Sequence, residues 1–122
     1  MIQERSILKV ADNSGAKTIR VFRILGGTKH HYAQLGDIVV ASVQVAEPRK
    51  AIQKKDKIRA VIVRQKNVFK RKDGSYVRFD DNAAVLIDAK NEPRSTRIFG
   101  PIPREIKEKG FEKIGTMAQE IV

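Results

Sequence analysis

The chain has 122 residues, of which 25 are Lys or Arg and 14 are Asp or Glu, giving a net charge of +11. That length supports one hydrophobic core and excludes a multidomain enzyme, and the absence of cysteine removes disulfides, thiolate nucleophiles and Cys-based zinc sites together. With 41% hydrophobic residues the chain can fold around a core, so it reads as a basic globular domain whose partner is a polyanion, not as a disordered tail or a membrane protein.

In chain order, Met1-Ile2-Gln3-Glu4-Arg5 has no basic segment followed by an apolar run, and the longest uncharged apolar stretch is residues 38–46, so a cytoplasmic protein is expected. Branched residues dominate the apolar set, 14 Ile and 12 Val against 4 Leu, which favours strands over helices. Strands are predicted at 6–11, 17–25, 37–45, 57–64 and 83–88. Asp12-Asn13-Ser14-Gly15, Gly26-Gly27 and Glu47-Pro48 supply turns and open loops between them. Five or more short strands predict a mostly β fold, a small closed β-barrel that hides its strand edges.

A further hairpin is predicted from 67–72 and 75–79 around Asp73-Gly74, read as a two-residue type I′ turn. That turn would place Arg71 opposite Tyr76 and Phe69 opposite Arg78. One face would then carry Phe69, Arg71, Tyr76 and Arg78, a mixture of rings and guanidinium groups suited to nucleotides. After Pro93 two short helical pieces are expected, the first with Pro103 at its first position and Gly110 at its end, the second over 111–117 and interrupted by Gly115. A single domain is expected, residues 1–92 forming barrel and ribbon and 93–122 a C-terminal loop and helices.

The charge is not spread evenly. Residues 49–72 hold eleven basic groups against Asp56 alone, a net +10, while residues 104–122 are neutral. Clustered like charge is costly unless a partner neutralises it, and no amphipathic basic helix accompanies the run, so nucleic acid is favoured over a membrane surface.

No catalytic constellation stands out. His30-His31 are adjacent in a loop, where ring vectors seldom converge on one metal. Gly26-Gly27 lacks the spacing of a phosphate-binding loop. Asp80-Asp81 reads as a hairpin end that satisfies local backbone groups, and the C-terminal Glu and Lys/Arg residues read as an exposed helix pattern. The chain is expected to be no enzyme and to need neither metal nor cofactor.

Ala60-Val61-Ile62-Val63 is followed by nine residues, Asp73-Gly74, four residues, Phe79, then Asn82 and Val85-Leu86. With Val10-Ala11-Asp12-Asn13-Ser14-Gly15-Ala16 and Thr96-Arg97-Ile98-Phe99-Gly100-Pro101, this resembles the universal large-subunit ribosomal protein fourteen family, bacterial type, over the whole chain. In the basic loop the family often has Pro-Gly or Arg-Gly where this chain reads Pro48-Arg49-Lys50-Ala51.

The resemblance implies a five-stranded closed barrel with a protruding ribbon and short C-terminal helices. It implies a structural constituent of the large ribosomal subunit that binds large-subunit (23S) rRNA and contributes to intersubunit bridges with small-subunit (16S) rRNA. It further implies a place beside large-subunit ribosomal proteins three and nineteen, and docking of a ribosome silencing factor at Thr96, Arg97 and Lys113. The residues expected to bind RNA are Arg49, Lys50, Lys54, Lys55, Arg64, Lys66, Phe69, Lys70, Arg71, Lys72, Tyr76, Arg78, Arg94 and Arg97, with loop 47–55 near a bridge. The alternatives are a free-standing barrel of the OB or cold-shock kind that binds single strands, for which seven aromatics and no Trp make a thin platform, and a hydrolase using His30, His31 and the aspartates.

Overall fold

The computed structural model describes residues 2–25, 32–50 and 52–122. In the first strands burial alternates: Leu8, Ile19, Val21, Val39, Ala41 and Val43 are buried, while Ile7, Arg20 and Phe22 are exposed. That is the period of two required where one sheet face packs and the other meets water. These residues form β1 (Ile7–Val10), β2 (Ala16–Ile24) and β3 (Ile38–Ala46), which pair antiparallel in sequence order and continue through β4 (Lys57–Arg64) to β7 (Ala83–Ile87). A parallel pairing, Lys9 opposite Ala83 and Val10 opposite Ala84, joins β7 to β1 and closes the barrel. The five expected strands agree with these to within a residue at each end.

β4 and β7 differ from the others because burial is continuous from Ala60 to Arg64 and from Ala83 to Ile87. Both faces must therefore be covered. Ala60 opposite Leu86 and Ile62 opposite Ala84 fill the lumen, and Val61 opposite Val85 points outward. Outside, Ile98, Ile102, Ile106, Phe111 and Ile114 extend the same apolar cluster. They come from β8 (Ile98–Ile102), α1 (Arg104–Glu108) and α2 (Glu112–Met117), and β9 (Ala118–Ile121) runs parallel to β8.

Both helices were anticipated, with two corrections. Pro103 caps α1 in an extended conformation instead of opening its first turn. Gly115 does not interrupt α2; it is buried within it, and a Cβ there would lie 3.3 Å from Cδ of Lys107, so its smallness lets the helices approach. Gly110, at φ 101°, ends α1 as expected. β8 and β9 were not anticipated, because Gly100 and Pro101 argue against a strand. A register shift between Ile98 and Pro101 accommodates them.

Three barrel strands are entered through the same corner, with sequences Gln3-Glu4-Arg5-Ser6, Gln34-Leu35-Gly36-Asp37 and Gln53-Lys54-Lys55-Asp56. In each, the fourth residue's side-chain oxygen accepts the N–H of the first at 2.8–2.9 Å, and the fourth N–H returns to the first carbonyl. The third residue has positive φ: Arg5 at 73°, Gly36 at 83° and Lys55 at 74°. Its N–H donates to the neighbouring strand, at Val21, Ile62 and Val43 respectively. A recurrent Gln-x-x-Ser/Asp before a strand is therefore a structural repeat, and the side-chain acceptor explains why Ser or Asp holds the fourth place.

Candidate nucleic-acid interface

The ribbon between β4 and β7 consists of β5 (Phe69–Lys70) and β6 (Tyr76–Val77). Phe69 pairs with Val77 and Lys70 with Tyr76, one residue out of the expected register. The Gly74 N–H donates to the Arg71 carbonyl at 3.0 Å, the Arg71 N–H donates to Ser75, and only Gly74, at φ 92°, has the left-handed conformation. This is a three-residue loop with a bulge at Gly74, not a type I′ turn. Asp73 favours it by accepting both the N–H and the hydroxyl of Ser75, which hold its carboxyl below the usual range, the hydroxyl bond being the larger cause.

The shift re-sorts the side chains. Val68, Lys70, Tyr76 and Arg78 are exposed, with Tyr76 at 66%, whereas Phe69, Arg71, Val77 and Phe79 turn inward. The mixed face of Phe69, Arg71, Tyr76 and Arg78 is thus not formed. Arg71 instead pairs with Glu105 of α1, its Nε 2.7 Å from Oε1 and its Nη2 donating to Oε2 at 3.2 Å, and Nη2 also donates to the Val122 backbone oxygen at 2.7 Å. Its guanidinium lies 5.8 Å from the Phe69 ring centroid. Asp73 reaches Arg104 at 3.6 Å, so the ribbon is tied to α1 at two points.

Arg64 is a second arginine held inside. It is 8% exposed; Nε donates to Asp81 at 2.8 Å and Nη1 to the carbonyls of Phe99 and Pro101 at 2.8 and 3.3 Å. A Cβ on Gly100, whose φ is 81°, would overlap Nη1. Asp81 therefore serves a buried guanidinium, not local backbone groups, and two C-terminal charges likewise pair across elements: Glu105 with Arg71, and Lys113 with Glu92 at 3.0 Å.

The remaining expected cations, Arg49, Lys50, Lys54, Lys55, Lys66, Lys70, Lys72, Arg78, Arg94 and Arg97, are all exposed, and among the described residues none has an ion-pair partner. The loop that carries the first four is fixed at both ends. Glu47 N–H donates to Gly15 at 2.7 Å, the stem of Lys50 packs where a Gly15 Cβ would stand, and the Gln53–Asp56 corner closes the far end. Arg49 has φ 68°, a conformation that glycine adopts without strain, and it stands where the Pro-Gly form of the family loop would put Gly, the Arg-Gly form putting it at Lys50. Ala51 lies outside the described residues.

Thr96 and Arg97 are set by Asn13, whose Oδ1 accepts both their N–H groups at 3.1 Å while its Nδ2 donates to the Thr96 hydroxyl. Asp12 beside it is buried, accepting the N–H groups of Ser14 and Leu86; burial pushes its carboxyl up against those bonds. The Arg97 guanidinium sits 5.7 Å from the Phe99 ring centroid. Lys113 lies on α2, which contacts β8 directly after this segment.

A groove of about 710 Å³ separates ribbon from β8, with Tyr76, Arg78 and Phe79 on one side and Phe99 and Val122 on the other. Phe22, Tyr32, Tyr76 and Phe99 are all at least 43% exposed, so four of the seven aromatics meet solvent, dispersed over separate elements instead of forming one platform. His30, His31 and Gly26-Gly27 lie outside the described residues, and among those described no three His, Asp or Glu groups converge on a possible metal position. No described helix is long and apolar enough to cross a membrane.

The family model for ribosomal protein L14p/L23e matches residues 1–122. The chain belongs to that family. It is accordingly a structural constituent of the ribosome, a non-enzymatic class of protein located there, with ribosomal RNA and ribosomal proteins as its partners. Arg64, Arg71 and Asn13 show what residue-by-residue reading missed: polar groups whose partners lie 17 to 84 positions away.

Proposed function

We propose that this protein binds large-subunit (23S) rRNA through the exposed cations of loop 47–55 and the ribbon, and that loop 47–55 also meets small-subunit (16S) rRNA at intersubunit bridges. The observation that carries this reading is the sorting of basic groups. Arg64, Arg71 and Arg104 are engaged by carboxylates, while Lys50, Lys54, Lys66, Lys70, Lys72 and Arg78 stand unpaired and exposed on tethered segments. Unpaired cations displace counterions from phosphates, and a rigid barrel presents them without a large ordering cost. Structured RNA hides its base edges, so recognition is of shape. Thr96, Arg97 and Lys113 form the surface for a ribosome silencing factor, and large-subunit ribosomal proteins three and nineteen are the neighbouring chains, in the cytoplasm.

The test is Lys70→Glu/Lys72→Glu, which spares the Arg71 clamp. Binding to a transcript of large-subunit rRNA at moderate salt should weaken at least a hundredfold with the melting temperature unchanged. Retained wild-type affinity would refute the ribbon's role.

A further inference from the structure

Opposed residues across the barrel's outer wall form two rungs. One runs Ile7–Arg20–Ser42–Lys57 over β1 to β4, and the other Arg23–Val40–Arg59–Ile87 over β2, β3, β4 and β7. A register shift between Val21 and Arg23 turns Phe22 outward beside Arg23. With strands about 4.8 Å apart, the cations of a rung lie about 10 Å from one another. Among the described residues none of Arg20, Arg23, Lys57, Arg59 or Arg94 has an ion-pair partner.

Both rungs end at a groove of about 440 Å³ between β4 and the turn after β7, walled by Lys57, Arg59 and Arg94 over Val40 and Ile87. Asp88 is its one acid, and that carboxylate already accepts the N–H groups of Lys90 and Glu92 at 2.9 and 3.0 Å. Arg59 is half-buried, and its Nε is a buried donor with no acceptor among the described residues. Such a donor is costly unless something outside the chain accepts from it.

We propose that this groove is a phosphate site for an RNA backbone, with Arg59 as the sunken donor, Lys57 and Arg94 flanking it, and Arg20, Arg23 and Phe22 continuing the contact along the wall. A phosphodiester supplies oxygens for the Nε donor and charge for the flanking cations. The inference rests on the RNA-binding reading and adds a second face, distinct from the ribbon and loop 47–55.

The experiment titrates full-length wild type, Arg94→Gln, Arg59→Gln, Arg59→Lys and Lys70→Glu/Lys72→Glu against a large-subunit rRNA transcript over a range of salt. Arg94→Gln, at an exposed site, should weaken binding about three- to tenfold and reduce the slope of log K against log salt by about one, and Arg59→Gln should do the same with an unchanged melting temperature. Arg59→Lys should keep the slope but lose affinity, because the charge remains without the Nε donor. If the ribbon variant loses affinity while Arg94→Gln and Arg59→Gln match wild type, the groove is overturned and the RNA reading stands; if wild type itself does not bind, both fall. Groove variants that leave the RNA isotherm intact yet weaken binding to polyglutamate would show a face for an acidic protein, which also overturns the proposal.

Discussion

Replacing Arg64 with Met keeps the aliphatic stem and deletes the guanidinium, leaving the Phe99 and Pro101 carbonyls and the Asp81 carboxylate without the donors they hold at 2.8–3.4 Å. Breaking a buried pair by removing one partner costs about 3–5 kcal/mol. The Asp81 side chain is 31% exposed and can regain water, so about 3 kcal/mol is expected, a fall in melting temperature on the order of 10 °C. A second substitution isolates the geometry. Gly100→Ala places a Cβ at φ 81° and against Nη1 of Arg64. The left-handed conformation alone costs about 1 kcal/mol, and displacement of the guanidinium raises this to about 3 kcal/mol. In the Arg64→Met background only the conformational part should remain, giving a coupling of about 2 kcal/mol in a urea-denaturation double-mutant cycle. Additivity within about 0.5 kcal/mol would refute the packing of Arg64 beneath Gly100.

Arg71→Met should release the ribbon from α1: amide exchange should accelerate across residues 69–77 but not in β2 or β3, and equal protection would argue against the clamp. Asp12→Ala should destabilise by about 1–3 kcal/mol by leaving the buried Leu86 N–H unpaired, read by urea denaturation. Because burial raises the Asp12 pKa in the folded state, folding takes up a proton between 3.8 and that raised value. Stability conferred by this group is therefore full below pH 3.8 and is lost as pH rises through the folded pKa, so wild type should lose stability relative to Asp12→Asn across that window; a constant difference would contradict it. Arg49→Gly should raise stability by up to about 1 kcal/mol by relieving the left-handed backbone at φ 68°, while weakening RNA binding; destabilisation would contradict the strain.

The barrel was legible because its information is local. The excess of Ile and Val, broken by Asp12-Asn13-Ser14-Gly15, Gly26-Gly27 and Glu47-Pro48, marks five strands, whereas the two-sided burial of β4 and β7 depends on the C-terminal elements that cover them and was not read. The ribbon register was not legible, since Asp73-Gly74 suits both a two-residue turn and a three-residue loop, and the choice rests on Gly74 alone taking positive φ. That single step moved Arg71 from the surface to a clamp and paired Lys70 with Tyr76. Arg64 was unreadable for a different reason: a charge total does not distinguish a guanidinium that meets water from one lodged under Gly100. The excess of charge pointed to a polyanion, and burial decides which residues are free to meet it.

The most direct measurement is sedimentation of tagged protein from a cell lysate through a gradient, followed by a salt wash of the large-subunit fractions. The wild-type chain should travel with large subunits and stay there through moderate salt, and the Lys70→Glu/Lys72→Glu variant, equally folded, should be depleted from them. Wild-type protein recovered free at the top of the gradient, or a variant retained as firmly as wild type, would contradict the claim that unpaired surface cations hold this barrel to ribosomal RNA.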